Sequence, residues 1–366
     1  MGENLPQMLK TLVIATLFLA ANAHATPQEA ERIRRSYKLS AETWALKYQL
    51  AASPAAKQTL VTSRPDPAAA AKELWPNIAP SLKEDWTIPY AAYFLDLTRN
   101  LTVTNAENVT SAAFTAERGR VLAIFTENHL KKPGIAPFCI ALADSGAPRS
   151  LSLLEKIITG NPDKPTQGVA ALCASMLLKS LGDAPEVMKK RLTYLRTAII
   201  QASDQIIGGT SVADIATDEL YVIRYLSKGR IAPDLSGTDV ARRVIRLSDL
   251  KGKIVILLFW DAKSAETDKI IGLTNQLAMK YDGKPVAILG ITPEAQVRIR
   301  ALQADGSIKW NNIIDPTDML AAEYKVASRP AVLVLNEKGA IEYTGLPGSF
   351  VELTVDALLT GDAAGK

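Results

Sequence analysis

The apolar positions of this chain fall into three patterns. A short uninterrupted run lies between Thr11 and Ala23. From about Pro27 to Lys228 the apolar residues are mostly alanine and leucine, with few alternating β-branched stretches, and this predicts helices. The third pattern begins at Ile254, where Ile-Val-Ile-Leu-Leu-Phe259 reads as a strand buried on both faces. A polar turn follows, and then Ile270, Leu273, Leu277 and Met279 at helical spacing, which predicts a helix from Ser264 to about Tyr281. Val286-Ala-Ile-Leu-Gly-Ile291 and Ala331-Val-Leu-Val-Leu335 are further strand-like runs, and Asn336-Glu-Lys-Gly339 is a hairpin turn before Ile341-Glu-Tyr343.

Within the helical stretch the punctuation has a rhythm. Phe138-Cys139-Ile140-Ala141 and Leu172-Cys173-Ala174-Ser175 each read as the start of an apolar helix. Each of these stops near a glycine followed by Ala-Pro, at Gly146-Ala-Pro148 and Gly182-Asp-Ala-Pro185. Glycine ends a helix and proline opens the next, so the pattern is that of helix hairpins. Two architectures are open, a helical-repeat domain and an irregular helical bundle. Ser63-Arg-Pro-Asp-Pro67 and the stretch around Gly208-Gly209 are candidate linkers.

The C-terminal motifs resemble the redoxin family, which contains periplasmic thioredoxin-like oxidoreductases and AhpC/TSA-type peroxiredoxins. The resemblance rests on Gly229-Arg-Ile-Ala-Pro-Asp-Leu-Ser-Gly-Thr-Asp239, Leu247-Ser-Asp-Leu-Lys-Gly-Lys253, Phe259-Trp260, Ile308-Lys-Trp310 and Val326-Ala-Ser-Arg-Pro330 in that order. It implies an α/β thioredoxin-like domain, a central mixed sheet flanked by helices, over residues 229–366. It also implies a cis-proline at Pro330. An all-α domain over 26–228 would precede it. The family's cysteine positions fall on Ser264 and Thr267, with Lys263 before the first, and a peroxiredoxin-type threonine would fall on Asp261. Thiol chemistry needs a thiolate at the helix N-terminus, and serine cannot supply one at ordinary pH. Ser264 reads either as a helix N-cap, with Glu266 and Asp268 complementing the helix dipole, or as a contact to a ligand.

Composition narrows the remaining chemistry. The 366 residues suffice for two domains, and 48% hydrophobic content with mean hydropathy +0.06 is that of a globular chain. A net charge of +4 without a basic run interleaved with aromatics argues against nucleic acid as a partner. Lys10 before the apolar run and Ala23-His-Ala25 after it read as a secretory signal over residues 1–25, with Met8 an alternative start. The run is too short for a comfortable membrane span, so a periplasmic or secreted destination is expected. Cleavage would leave His129 as the remaining histidine beside Cys139 and Cys173. That inventory excludes a histidine-rich metal site, a Ser-His-Asp triad and a zinc ribbon, so neither a metal nor another cofactor is expected. A Cys139–His129 dyad is formally open, against His129 as a surface or structural residue. For Cys139 and Cys173 three states are open: buried free thiols, a structural disulfide, and a catalytic pair.

Two functions follow from these readings. In the first, the chain is an exported binding or scaffold module, redox-inactive at the family's usual site. The resemblance then places an extended protein or peptide partner in a groove lined by Trp260, Lys263, Ser264, Arg329 and Pro330, whose two cations suit an acidic segment. In the second, it is a thiol-disulfide or peroxide-detoxifying enzyme, as the family implies, working through Cys139 and Cys173.

Overall fold

The computed structural model describes residues 26–104, 108–145, 148–182, 184–262 and 267–361. The expected signal segment, Gly146, Lys263 and Ser264 lie outside the described residues. The chain divides into two compact units, one ending at Asp214 and one beginning at Ile215.

Helices dominate the first unit: α1 (Pro27–Leu50), α2 (Pro54–Val61), α3 (Pro67–Ile78), α4 (Ile88–Leu97), α5 (Thr115–Asn128), α6 (Ala136–Ser145), α7 (Pro148–Gly160), α8 (Lys164–Lys179) and α9 (Pro185–Ala202). Their starts are set by a repeated device. Thr26, Ser53, Asp66 and Asp163 each accept a backbone N–H of the first turn through the side chain, and a proline follows within two residues. The cap satisfies a donor that has no intrahelical partner, and proline removes another at no cost. Asp163 and Pro165 therefore start α8 nine residues ahead of Cys173. Leu172–Ser175 is mid-helix and not a helix start, and Cys139 and Cys173 are not at equivalent positions.

Two hairpins interrupt the region expected to be wholly helical, β1 (Thr102–Thr104) with β2 (Thr110–Ala112), and β3 (Ile206–Ile207) with β4 (Thr210–Ser211). Gly208 and Gly209, expected in a linker, form the second turn, with φ of 59° and 89°. A two-residue hairpin turn of type I′ needs positive φ at both central residues, which glycine adopts without strain. The core gathers Phe94, Phe125, Phe138 and Leu154, with the Phe125 and Phe138 rings 4.7 Å apart. His129 is buried against Phe125, and its Nε2 lies 2.7 Å from the Leu82 carbonyl, so its role is structural. Helices α8 and α9 meet closely at Gly168, where a Cβ would come within 2.5 Å of the Ala202 Cβ and 2.9 Å of its backbone nitrogen.

The second unit takes in most of α10 (Val212–Tyr221) and a seven-stranded mixed sheet. In chain order its elements are β5 (Ser236–Thr238), β6 (Val244–Arg246), β7 (Ile254–Phe259), α11 (Thr267–Lys280), β8 (Val286–Thr292), α12 (Gln296–Ala304), β9 (Asn311–Ile314), α13 (Met319–Glu323), β10 (Ala331–Leu335), β11 (Ile341–Gly345) and α14 (Ser349–Thr360). The sheet order is β11-β10-β7-β8-β9-β5-β6, with β7, β8 and β9 parallel and the outer pairings antiparallel. This is the thioredoxin-like fold with the expected mixed sheet.

All six residues of β7 are buried because the strand has a core on each face. Val255, Leu257 and Phe259 join Leu289, Ile291, Ile313, Leu333 and Tyr324 on one side. Ile254, Ile256 and Leu258 join Ile270, Leu277, Tyr281, Val351 and Val355 on the other. The first core also includes Leu226 with Tyr221 and Val222 packed on it, which is why the unit begins before Gly229. In α11 the inward positions are Ile270, Thr274 and Leu277, followed by Tyr281 just beyond it. Met279, expected inside, is 58% exposed, because Tyr281 takes the next inward position four residues after Leu277.

The Gly168 contact leads to a test with a built-in control. Gly168→Val should destabilise the chain by about 1–3 kcal/mol, since the backbone of Ala202 must shift to admit the side chain. Gly119→Ala, at a helical site with nothing within 4 Å, should instead stabilise by about 0.5–1 kcal/mol. Urea denaturation midpoints of the two variants should move in opposite directions.

Candidate functional site

The site begins where β7 ends. Phe259 pairs with Ala331 at the start of β10, so the β7–α11 connection and Arg329-Pro330 are brought to the same edge of the sheet. The Arg329–Pro330 peptide is cis. Of the residues expected to line a groove, Pro330 is half-buried at this edge. Thr267 opens α11, and its Oγ1 donates to the Asp261 carbonyl at 3.2 Å, tying together the two ends of the connecting turn.

Two expectations are corrected. Trp260 does not line a groove, because it is wholly buried. Its Nε1–H donates to Asn312 Oδ1 at 2.9 Å, and its ring meets Trp310 edge-on with centroids 6.0 Å apart. A buried indole N–H needs such an acceptor, and Asn312 is held in turn by donating Nδ2–H to the Trp310 carbonyl at 3.1 Å. Gly290 makes room for this arrangement, since a Cβ there would sit 2.0 Å from Asn312 Oδ1. Arg329 is not an available cation either. Its guanidinium donates to Asp318 at 2.6 Å, with a side chain only 15% exposed.

Two residues that the sequence reading missed shape the turn more directly. Glu294 is 7% exposed and accepts the Ala262 N–H through Oε1 at 3.1 Å. Its Oε2 pairs with Arg298 at 3.2 Å, and Arg298 Nη2 donates to the Ala262 carbonyl at 3.3 Å. One carboxylate and one guanidinium thus hold both backbone groups of Ala262. A glutamate just past the end of β8, four residues ahead of an arginine on the next helix, is the signal that could have found them.

In the structure Cys139 and Cys173 are buried free thiols, the first of the three states considered above. Both side chains are enclosed in the helix core of the first unit and serve as small apolar groups. Burial pushes the Cys139 thiol up to about 12. Burial, with the neighbouring Cys139 and Asp144 adding to it, raises Cys173 well above the ordinary thiol range. Neither is a nucleophile near neutral pH. His129 contacts Leu82 and Phe125, and no hydrogen bond joins it to Cys139. Among the described residues no cluster of three or more His, Cys, Asp or Glu side chains could hold a metal, and no helix is long and apolar enough to cross a membrane.

Comparison with known proteins places this geometry. Residues 228–344 are an AhpC/TSA family domain. Thiol-disulfide oxidoreductase ResA of Bacillus cereus is 26% identical over 155 residues, which cover 42% of this chain and 87% of that protein. Thioredoxin-like protein YneN of Bacillus subtilis is 26% identical over 121 residues, 32% of this chain and 70% of that protein. The thioredoxin domain of a thiol-disulfide oxidoreductase from Bacteroides vulgatus matches at 23% identity with TM-score 0.33, covering 36% of this chain and 98% of the solved one. The C-terminal unit, whose strand order is thioredoxin-like, thus carries an AhpC/TSA match and has thiol-disulfide oxidoreductases among the relatives it resembles. The matched stretch contains no cysteine, since both lie at 139 and 173.

Two outcomes follow from this geometry. Asn312→Ala should cost about 1–3 kcal/mol in urea denaturation, because it leaves the buried Trp260 N–H without an acceptor. Titration of the native chain with a thiol-reactive disulfide dye near pH 8 should release no colour, and unfolding in guanidinium should release two equivalents, one for each free cysteine.

Proposed function

We propose that this chain is an exported thioredoxin-fold module that holds a protein or peptide partner and carries out no disulfide exchange at the family's usual site. The observation that carries the reading is the absence of cysteine from the family-matched residues. Ser264 and Thr267 stand at the family's paired positions, and hydroxyls offer neither an accessible anion nor a resolving thiol. The scaffold around them is retained. The turn is clamped at Ala262, and the start of β10 lies beside it with Pro330 half-buried. An extended segment would lie across this edge by backbone pairing. With Arg329 bound to Asp318, any preference for an acidic segment rests on Lys263. Export rests on the apolar run from Thr11 to Ala23 and the small residues at Ala23 and Ala25.

A second reading is favoured by the relatives, several of which are named thiol-disulfide oxidoreductases. Applied to this chain it has to use Cys139 and Cys173, both buried and both shifted away from the thiolate.

The deciding assay is dithiol-dependent insulin reduction with the full chain, Cys139→Ser/Cys173→Ser and Ser264→Cys/Thr267→Cys. Wild type should remain at background. The engineered pair should form a disulfide but reduce insulin slowly, because Glu266 and Asp268 disfavour a thiolate in the same turn, and each unit of pKa elevation removes about tenfold of it. Wild-type turnover that disappears in the Cys139→Ser/Cys173→Ser variant would overturn the binding reading in favour of the enzymatic one.

A further inference from the structure

The opposite pole of the thioredoxin-like unit carries a feature unrelated to the site above. Strands β7, β8 and β9 run parallel and lie side by side, so the residues that precede them emerge together at one end of the sheet. Each of those entries carries a lysine: Lys253 directly before Ile254, Lys284 two residues before Val286, and Lys309 two residues before Asn311. Neighbouring strands are spaced about 4.8 Å apart; β9 enters later, Asn311 pairing with Leu289, so Lys309 stands level with Ala287, beside the entries that Lys253 and Lys284 mark.

These three lysines line a single groove of about 320 Å³, together with Asp282, Gly283 and Asn311. None of the three has a carboxylate within ion-pair distance among the described residues. Lys309 Nζ reaches only the Met279 sulfur at 3.7 Å, and Lys284 lies over the Tyr281 ring at 5.4 Å. Lys280, nearby in sequence, is already held by Glu352 and Asp356, so its charge is neutralised. Asp282 is the one carboxylate among the lining residues, and Asp356 acts on Lys284 from beside the groove, so the three lysines still outnumber the carboxylates that face them. Three like charges gathered around a concave polar surface repel one another, and a bound multivalent anion relieves that repulsion.

We propose that this groove binds a small ligand carrying two or more oxyanion charges, of the phosphate or pyrophosphate type. The recognising groups are the Lys253, Lys284 and Lys309 ammoniums, assisted by the Asn311 side-chain amide. Because all three lysines are point charges on flexible stems, the groove selects for charge density and not for a planar carboxylate shape. The site lies at the β-strand entries, away from Asp261 and Pro330, so it functions independently of the peptide edge.

Isothermal titration of the full chain with inorganic pyrophosphate at low ionic strength tests the proposal. Binding should be saturable at one equivalent, should exceed that of monovalent chloride, and should weaken as salt is raised. Lys253→Ala and Lys309→Ala should each lose about tenfold in affinity, whereas Lys338→Ala, an exposed lysine that lines a different groove, should bind as wild type does. The proposal is overturned if pyrophosphate gives no saturable heat, if Lys338→Ala loses as much affinity as the groove variants, or if the chain binds phosphatidylglycerol vesicles and not the soluble anion.

Discussion

The second unit depends on burying one strand on both faces. In β7 odd and even side chains enter different cores, so a shift of one residue would exchange the two sets and leave neither helix layer with its partners. That constraint fixes the pairing of β10 on one side and β8 on the other. Everything at the strand ends inherits its position from this register: the turn after Trp260, the start of α11, Pro330, and at the far pole the three lysines.

Immediately beyond the strand, the Trp260 hydrogen bond to Asn312 and the space left by Gly290 extend the same logic to a polar pair. A buried donor without its acceptor is more costly than the bond is stabilising, so the pair specifies how the turn leaves the sheet. Glu294 and Arg298 then grip Ala262 from outside. Ala262 on one side of the turn and Thr267 on the other are each held by hydrogen bonds. Such supports suit the proposed reading, in which the platform serves binding without a disulfide.

The fold of this unit was legible because its determinants are local and periodic: a continuous apolar strand, a helical repeat of apolar residues, glycine and asparagine at a hairpin turn. The resemblance to the redoxins added the order of the strands. What was missed depends on three-dimensional neighbours. Trp260 looked like a surface aromatic because nothing near it in sequence announces Asn312, 52 residues away. Arg329 looked like a free cation because Asp318 comes from the preceding segment. Met279 was misplaced by counting apolar residues alone, when the amphipathic Tyr281 was the inward one, its hydroxyl donating to Asp356 at 2.9 Å. In the helical unit the Ala-Pro punctuation marked real helix starts at Pro148 and Pro185, whereas taking the apolar run at Leu172 as a start overlooked the Asp163 cap ahead of it.

The central claim is that the strand-end edge binds an extended segment without thiol chemistry. The most direct measurement is amide chemical-shift mapping of the full chain titrated with an unstructured, cysteine-free peptide, in the presence and absence of reductant. The account predicts shifts concentrated at Asp261, Ala262 and Pro330–Val332 neighbours, identical under both conditions. Shifts confined to the helical unit, or seen only without reductant, would contradict it.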